Sequence, residues 1–260
     1  MRAHPNRNPA RTFPKDELPR PQRINRILSM AGLVSRRKAD ELIKSGRVSI
    51  NGRVVREPGS RAVWGMDSIK VDDQEIRSPF ERIYLMLNKP FGYICALSDP
   101  AGRPIVSDLM KDVKERIYPV GRLDFDSLGL LLLTNDGEWA HRLTHPRYHV
   151  PRTYKITLEG RITVEALNSL RKGIRLEDGL TGPSKTTLLQ QDERKSVMRM
   201  TITIGRSRLV RRMLEAVGYR VIHLIRIGFG NLELGDLKIG DYRPLETHEV
   251  QALKKMVGMA

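Results

Sequence analysis

Cysteine occurs once in this chain of 260 residues, at Cys95, which excludes an internal disulfide and any metal site built from several thiolates. The expectation for that lone thiol is a buried, unreactive side chain. Long apolar runs are missing too: the most apolar stretch, residues 128–133, falls far short of the roughly 20 residues that a membrane-spanning helix needs. No secretory apolar segment opens the chain, so a cytoplasmic protein without a membrane partner is expected. Acidic residues are in deficit, 30 against 46 Lys and Arg, and the net charge is +16. A surplus of that size says little about fold but favours a polyanionic partner, nucleic acid before an acidic lipid surface. Familiar catalytic signatures are absent as well. There is no phosphate-cradling Gly-rich loop and no Gly-x-Ser-x-Gly elbow. His141 and His145 are four apart, but no Glu lies between them and Pro146 ends the segment, so zinc is not expected, nor is a small-molecule cofactor.

What is present begins with a Pro-rich arm. Residues 1–22 hold five of the 15 prolines and almost nothing apolar, a composition that cannot offset the entropy of ordering. From Arg23 the pattern changes. Ile24, Ile27, Leu28 and Ala31 make one apolar helical face closed by Gly32, and Ser35 is placed to cap a second helix carrying Ala39, Leu42 and Ile43. Val48-Ser49-Ile50, Asn51-Gly52 and Val54-Val55 then read as strand, type I′ turn and strand. Between Arg23 and Glu57 nine basic residues face three acidic ones, with no aromatic among them. Such a module suits the backbone and shape of structured RNA better than base stacking. Arg36, Arg37, Lys44, Arg47 and Arg53 are its candidate phosphate contacts.

The run from Arg23 to Gly52, including Ala31-Gly32-Leu33-Val34-Ser35-Arg36-Arg37-Lys38-Ala39-Asp40, resembles the RNA-binding domain named after small-subunit ribosomal protein four. The resemblance implies two helices docked on RNA and places this domain at residues 23–77, with a linker at 78–81 and a second domain at 82–260. That second domain opens with the apolar run Ile83–Leu87, and a strand is expected near Tyr93–Leu97. Further strands are expected at 152–158, 185–190, 197–204 and 219–227. Helices are expected at 137–143, 163–171, 207–217 and from about His248. Many strands among few helices, without a regular strand-helix period, predict an α+β fold: a small helix-helix-hairpin domain followed by a domain around a mixed, largely antiparallel sheet.

The chemistry of the second domain concentrates on Asp124, a carboxylate placed just before the apolar run of residues 128–133. Arg208, Arg211 and Arg212 share a helical face different from that of Val210, Met213 and Leu214, suited to phosphates or to a carboxylate. On residue types alone, Asp124 could equally be a turn-forming aspartate. The wider pattern is more specific. Gly121-Arg122-Leu123-Asp124, then Gly129–Gly137, then Tyr154, then Gly205-Arg206-Ser207-Arg208-Leu209-Val210-Arg211-Arg212-Met213, resembles the ribosomal-RNA pseudouridine synthases of the RsuA type. Lys89-Pro90-Phe91-Gly92 and Leu224-Ile225-Arg226 add to it.

This resemblance implies a cofactor-free, metal-free isomerase that turns uridine into pseudouridine in ribosomal RNA, large-subunit before small-subunit, on free RNA or a ribosome-assembly intermediate. It implies that Asp124 is the reacting carboxylate, nucleophile or general base, that Tyr154 packs on the flipped base and that Arg211 pairs with Asp124. Arg122, Arg206, Arg208 and Arg212 would face RNA, and Leu132 or a neighbour would wall the base pocket. A single carboxylate suits an isomerisation, because glycosidases usually need a second one to activate water. Ser127 stands where the family usually has Thr, and Ile204, Ser207 and Leu209 stand where Glu, Asn and Gln are commoner, changes that bear on substrate choice. The competing expectation is a non-catalytic RNA-binding assembly factor. A nucleoside hydrolase would need Asp126 as its second carboxylate.

Overall fold

The computed structural model describes residues 20–76 and 82–259. They fall into two compact units on either side of the Phe80/Glu81 boundary. The expected arm lies outside the described residues except at its end, where Gln22 is already part of a strand. The expected linker at 78–81 lies outside them too.

In the first unit, β1 (Gln22–Arg23), α1 (Ile24–Met30) and α2 (Arg36–Lys44) precede a hairpin of β2 (Val48–Ile50) and β3 (Arg53–Val55). Then come β4 (Arg61–Ala62), β5 (Ile69–Val71) and β6 (Gln74–Glu75), giving a sheet of order β3-β2-β5-β6 and a separate β1-β4 pair. The local causes are those the residues imply. The Ser35 hydroxyl accepts the Lys38 N–H at 3.2 Å, capping α2. Asn51 and Gly52 both take positive φ, +50° and +80°, as a type I′ turn demands. Ile24, Ile27, Leu28, Ala39, Leu42 and Ile43 pack into one core under the sheet.

The second unit runs β7 (Tyr84–Lys89), β8 (Tyr118–Pro119), β9 (Leu128–Thr134), α3 (Gly137–Thr144), β10 (Arg152–Glu159), α4 (Val164–Lys172), β11 (Arg175–Leu176) and β12 (Gly179–Leu180). It continues through β13 (Lys185–Gln191), β14 (Lys195–Ile202), α5 (Leu209–Ala216), β15 (Val221–Phe229), β16 (Leu232–Glu233), β17 (Tyr242–Pro244) and α6 (Thr247–Met256). The main sheet has the order β13-β14-β10-β15-β9-β7-β17, with β8 on β9 and β16 on β15. Its neighbours are antiparallel except β9 and β15, so the fold is the mixed, largely antiparallel one expected.

β9 explains the apolar run. Leu131 and Leu133 face a core shared with α4 and α5, while Leu130 and Leu132 face a second core shared with α3 and α6. A strand covered on both faces loses the usual alternation, and each fully buried leucine contributes about 1.5–3 kcal/mol. Beyond it, Asp136 caps α3 by accepting the Glu138 and Trp139 N–H groups at 3.2 Å each.

The parallel contact of β9 with β15 is short, only Leu128 with Ile225 and Gly129 with Arg226. Gly129 sits there at φ +103°, and a β-carbon on it would lie 2.3 Å from the Arg226 carbonyl oxygen. Only glycine fits this seam. One expected strand is absent: at Tyr93–Leu97 the chain makes a single bridge from Ile94 to Ile105. Asp99 accepts the Arg103 backbone N–H and folds the segment back before a ladder can extend.

Candidate active site

A cavity of about 230 Å³ opens where the seam meets the loop before β9. Asp124 enters from the β9 side, while Tyr154 on β10 and Arg226 on β15 come from the other half of the sheet. The loop is held from beneath. Lys89, fully buried, donates from Nζ to the carbonyl oxygens of Ser127 at 2.8 Å and Pro90 at 3.0 Å. Burial pushes its ammonium below the ordinary lysine range, the nearby Cys95, Asp126 and Asp124 drawing it back. Cys95 is half-buried, its thiol donating to the Leu123 carbonyl at 3.3 Å. Burial raises its pKa, as befits an unreactive thiol.

The expected pairing of Arg211 with Asp124 does not form. Arg211 reaches the carboxylate of Asp126 at 3.3 Å and the Asp126 carbonyl at 2.9 Å, and Arg208 shares the same carboxylate at 3.3 Å. Asp126 lies farther along the loop, level with α5, and its two arginines tie the Asp124 loop to that helix. The Asp124 carboxylate carries no hydrogen bond or ion pair among the described residues and borders the cavity. Nor is Arg211 on a solvent face: it is 6% exposed, packed with Val210, Met213 and Leu214 in the buried set of α5.

Three more expectations are corrected. Leu132 does not wall the cavity, because strand alternation turns it into the core around Trp139 on the other face; Ile202, Ile204, Leu209 and Leu224 are among the apolar lining residues instead. Arg206 and Arg212 are already paired to a carboxylate. Both clamp Asp178, at 3.3 and 2.9 Å, and Arg206 also donates to three backbone carbonyls of the 178–180 turn. The hydrogen bond from Arg212, and the charges of Arg212 and Arg206, hold the Asp178 carboxyl below the usual carboxylate range. In the first unit, Arg47 is engaged twice by Asp72. Arg36, Arg37, Lys44 and Arg53 are exposed there and carry no partner among the described residues. Tyr154, 8% exposed, and Arg122, exposed, border the cavity.

The structure adds residues to which the sequence assigned no role in the site. Arg226 is 2% exposed, gives Nε to the Leu130 carbonyl at 2.6 Å, and leaves Nη2 without a partner in the cavity wall. Arg152 lies near it, and both guanidinia stand over the Phe229 ring, at 5.4 and 5.3 Å. Burial, with the charge of Arg226, draws the Arg152 guanidinium below the ordinary arginine range. The Ser127 hydroxyl is a second buried lining group without a partner. A signal for the arginines was available: Arg152 shares the phase of Tyr154, Ile156 and Leu158, and Arg226 that of Leu224, so each puts a cation on an inward strand position. Five arginines and one carboxylate, Asp124, make up the charged lining. All of Ser127, Ile204, Ser207 and Leu209, the positions that depart from the family pattern, line it too.

With this geometry established, comparison with known proteins gives consistent matches. The model of the RNA pseudouridylate synthase family matches residues 83–216, and that of the S4 domain matches residues 22–67. Ribosomal large subunit pseudouridine synthase B of Bacillus subtilis is 46% identical over 237 residues, 90% of this chain and 96% of the relative. Ribosomal small subunit pseudouridine synthase A of Yersinia pestis is 36% identical over 234 residues, 89% of this chain and 97% of the relative. A crystal structure of a pseudouridylate synthase aligns with a TM-score of 0.64 at 32% identity, covering 89% of this chain and 99% of that one.

Proposed function

The chain belongs to the RNA pseudouridylate synthase family, and from that premise we propose that it isomerises a uridine of large-subunit ribosomal RNA with Asp124 as its single reacting carboxylate. The observation that carries this reading is the charge arrangement of the cavity, where Asp124 is the one acidic lining residue and has no counter-ion bound to it. The preference for large-subunit RNA rests on the 46% identity to a large-subunit synthase against 36% for a small-subunit one.

In the reaction the N1–C1′ bond of uridine breaks, a C5–C1′ bond forms, the C5 proton leaves and N1 gains one, so composition is unchanged. As the base detaches, negative charge spreads over N1 and the two carbonyl oxygens. Arg226 Nη2 and the Ser127 hydroxyl are the unpaired donors assigned to those oxygens, and Tyr154 is the platform under the ring. A buried donor left unpaired costs about 1–3 kcal/mol, which a bound base would recover. Donors fixed in a dry site stabilise developing charge without reorganising. Asp126, held by Arg208 and Arg211, keeps the loop in place and is not free to activate water, which disfavours hydrolysis. Flipping the base out of folded RNA costs a few kcal/mol, offset by the cations of both units.

The test is pseudouridine mapping of ribosomal RNA from cells lacking the protein, rescued by wild type or by Asp124→Asn. The expected result is one or more pseudouridines lost from large-subunit RNA, restored by wild type alone. A deletion that removes none, or full rescue by the asparagine variant, refutes the enzyme reading.

A further inference from the structure

Among the described Phe, Tyr and Trp side chains, only Phe91 and Phe125 are exposed, at 60% and 47%. They lie together, with ring centroids 5.9 Å apart at an interplanar angle of 57°. Phe125 follows Asp124 directly but does not line the cavity, so the ring pair stands outside it, beside the carboxylate. Two loops carry the pair, and they are joined firmly. The Gly92 N–H donates to the Phe125 carbonyl at 2.9 Å, and the Ser127 N–H to the Asp124 carbonyl at 3.1 Å. Lys89 ties Pro90 and Ser127 together from below. Gly92, at φ +82°, makes the turn that presents Phe91.

Scattered exposed apolar side chains need no explanation, but two aromatic rings in contact on a rigid double loop, next to a reactive group, are a different object. A free cation lies close by in the chain: Arg122, three residues before Phe125, is exposed and has no partner among the described residues. An aromatic surface beside a free cation is the arrangement that single-stranded nucleic acid binds, each base stacking on a ring while a phosphate meets the charge.

We propose that Phe91 and Phe125 form a stacking wedge for the unpaired bases next to the target uridine. The inference rests on the reading of the chain as an RNA isomerase and names how that site engages its substrate. When a base leaves the stack, its neighbours expose their faces to water; the ring pair covers those faces. The two loops are held in place without ligand, so little ordering entropy opposes the contact. The wedge reads no base edge. Selection for unpaired or easily unpaired segments follows, without selection for sequence.

The experiment measures the Kd for an unmodified large-subunit rRNA transcript at several salt concentrations, with pseudouridine formation followed in parallel. Phe91→Ala/Phe125→Ala should raise Kd at least about fivefold, the effect of losing one base stack. Because the rings are uncharged, the slope of log K against log salt should stay as in wild type. Phe91→Leu/Phe125→Leu keeps apolar bulk and should bind like the alanine pair, while Phe91→Tyr/Phe125→Tyr should bind like wild type. Wild-type affinity in the leucine pair overturns the wedge, and so does wild-type affinity in the alanine pair, which would give these rings to a protein partner. A slope changed by about one phosphate contact overturns it too. The binding measurement needs no turnover. If the wild type forms no pseudouridine yet shows this aromatic dependence, the reaction assignment fails and the stacking surface stands.

Discussion

In the first unit, Arg36, Arg37, Lys44 and Arg53 project from a small hairpin module with no carboxylate on them. Around the cavity of the second unit, Arg206, Arg208, Arg211 and Arg212 are each bound to Asp126 or Asp178, and Arg152 and Arg226 are buried over Phe229. One residue type thus serves two ends. An exposed cation exchanges condensed counter-ions for RNA phosphates, adding affinity that salt erodes. A buried or paired one has already spent its freedom and fixes geometry, and its field acts at short range in low dielectric. Net charge reports their sum and distinguishes nothing.

The sharpest way to break this contrast is at Arg226. Arg226→Lys keeps the charge but removes the forked group whose Nη2 is buried without a partner beside the cavity. The turnover number should fall about 10²-fold, the scale of losing one fixed donor to developing charge, while KM for RNA changes by less than about twofold. An equal rise in KM would move Arg226 to the RNA-docking class. The converse experiment replaces Arg36, Arg37, Lys44 and Arg53 together by alanine. Affinity for the rRNA transcript should drop roughly tenfold at moderate salt, and the salt slope should fall by up to about 3, each phosphate contact contributing about 0.7–0.9. The single-turnover rate at saturating enzyme should not move. A smaller effect is expected at Asp178. Its folded-state pKa is depressed, so its contribution to stability is present above the ordinary carboxylate value of 3.8 and is lost as pH falls through the lower folded value. The thermal midpoint of wild type should therefore fall more steeply than that of Asp178→Asn below about pH 4, by a small margin since the pair is exposed. Parallel curves would show that the clamp contributes nothing.

Local signals carried much of the fold. Ser35 and Asn51-Gly52 each act through a neighbour a few residues away, so the cap and the turn read from spacing appear where they should. Asp124, Tyr154 and the arginine-rich segment were singled out through a family pattern, and Asp124, Tyr154, Arg206 and Arg208 line the cavity. What was not legible depends on which atoms meet across the chain. Nothing between Asp124 and Asp126 tells which one Arg211 reaches; the pitch of the loop against α5 decides that. Leu132 could not be told from its neighbours because a strand buried on both faces gives no alternation. Arg206 and Arg212 looked free because Asp178, their partner, sits 28 and 34 residues away in sequence. Tyr93–Leu97 has strand-forming residues, but the Asp99–Arg103 turn cuts the pairing short.

Asp124 comes from one half of the sheet, Tyr154 and Arg226 from the other, and the halves meet at Gly129. Every single-base change of a glycine codon that alters the residue gives either a stop or a residue with a β-carbon, and here a β-carbon would strike the Arg226 backbone at 2.3 Å. No replacement residue within one base change is therefore neutral at this position. Drift is closed at the seam, and the variation that adapts such a cavity to a new uridine has to accumulate along its walls, where Ile204, Ser207 and Leu209 stand.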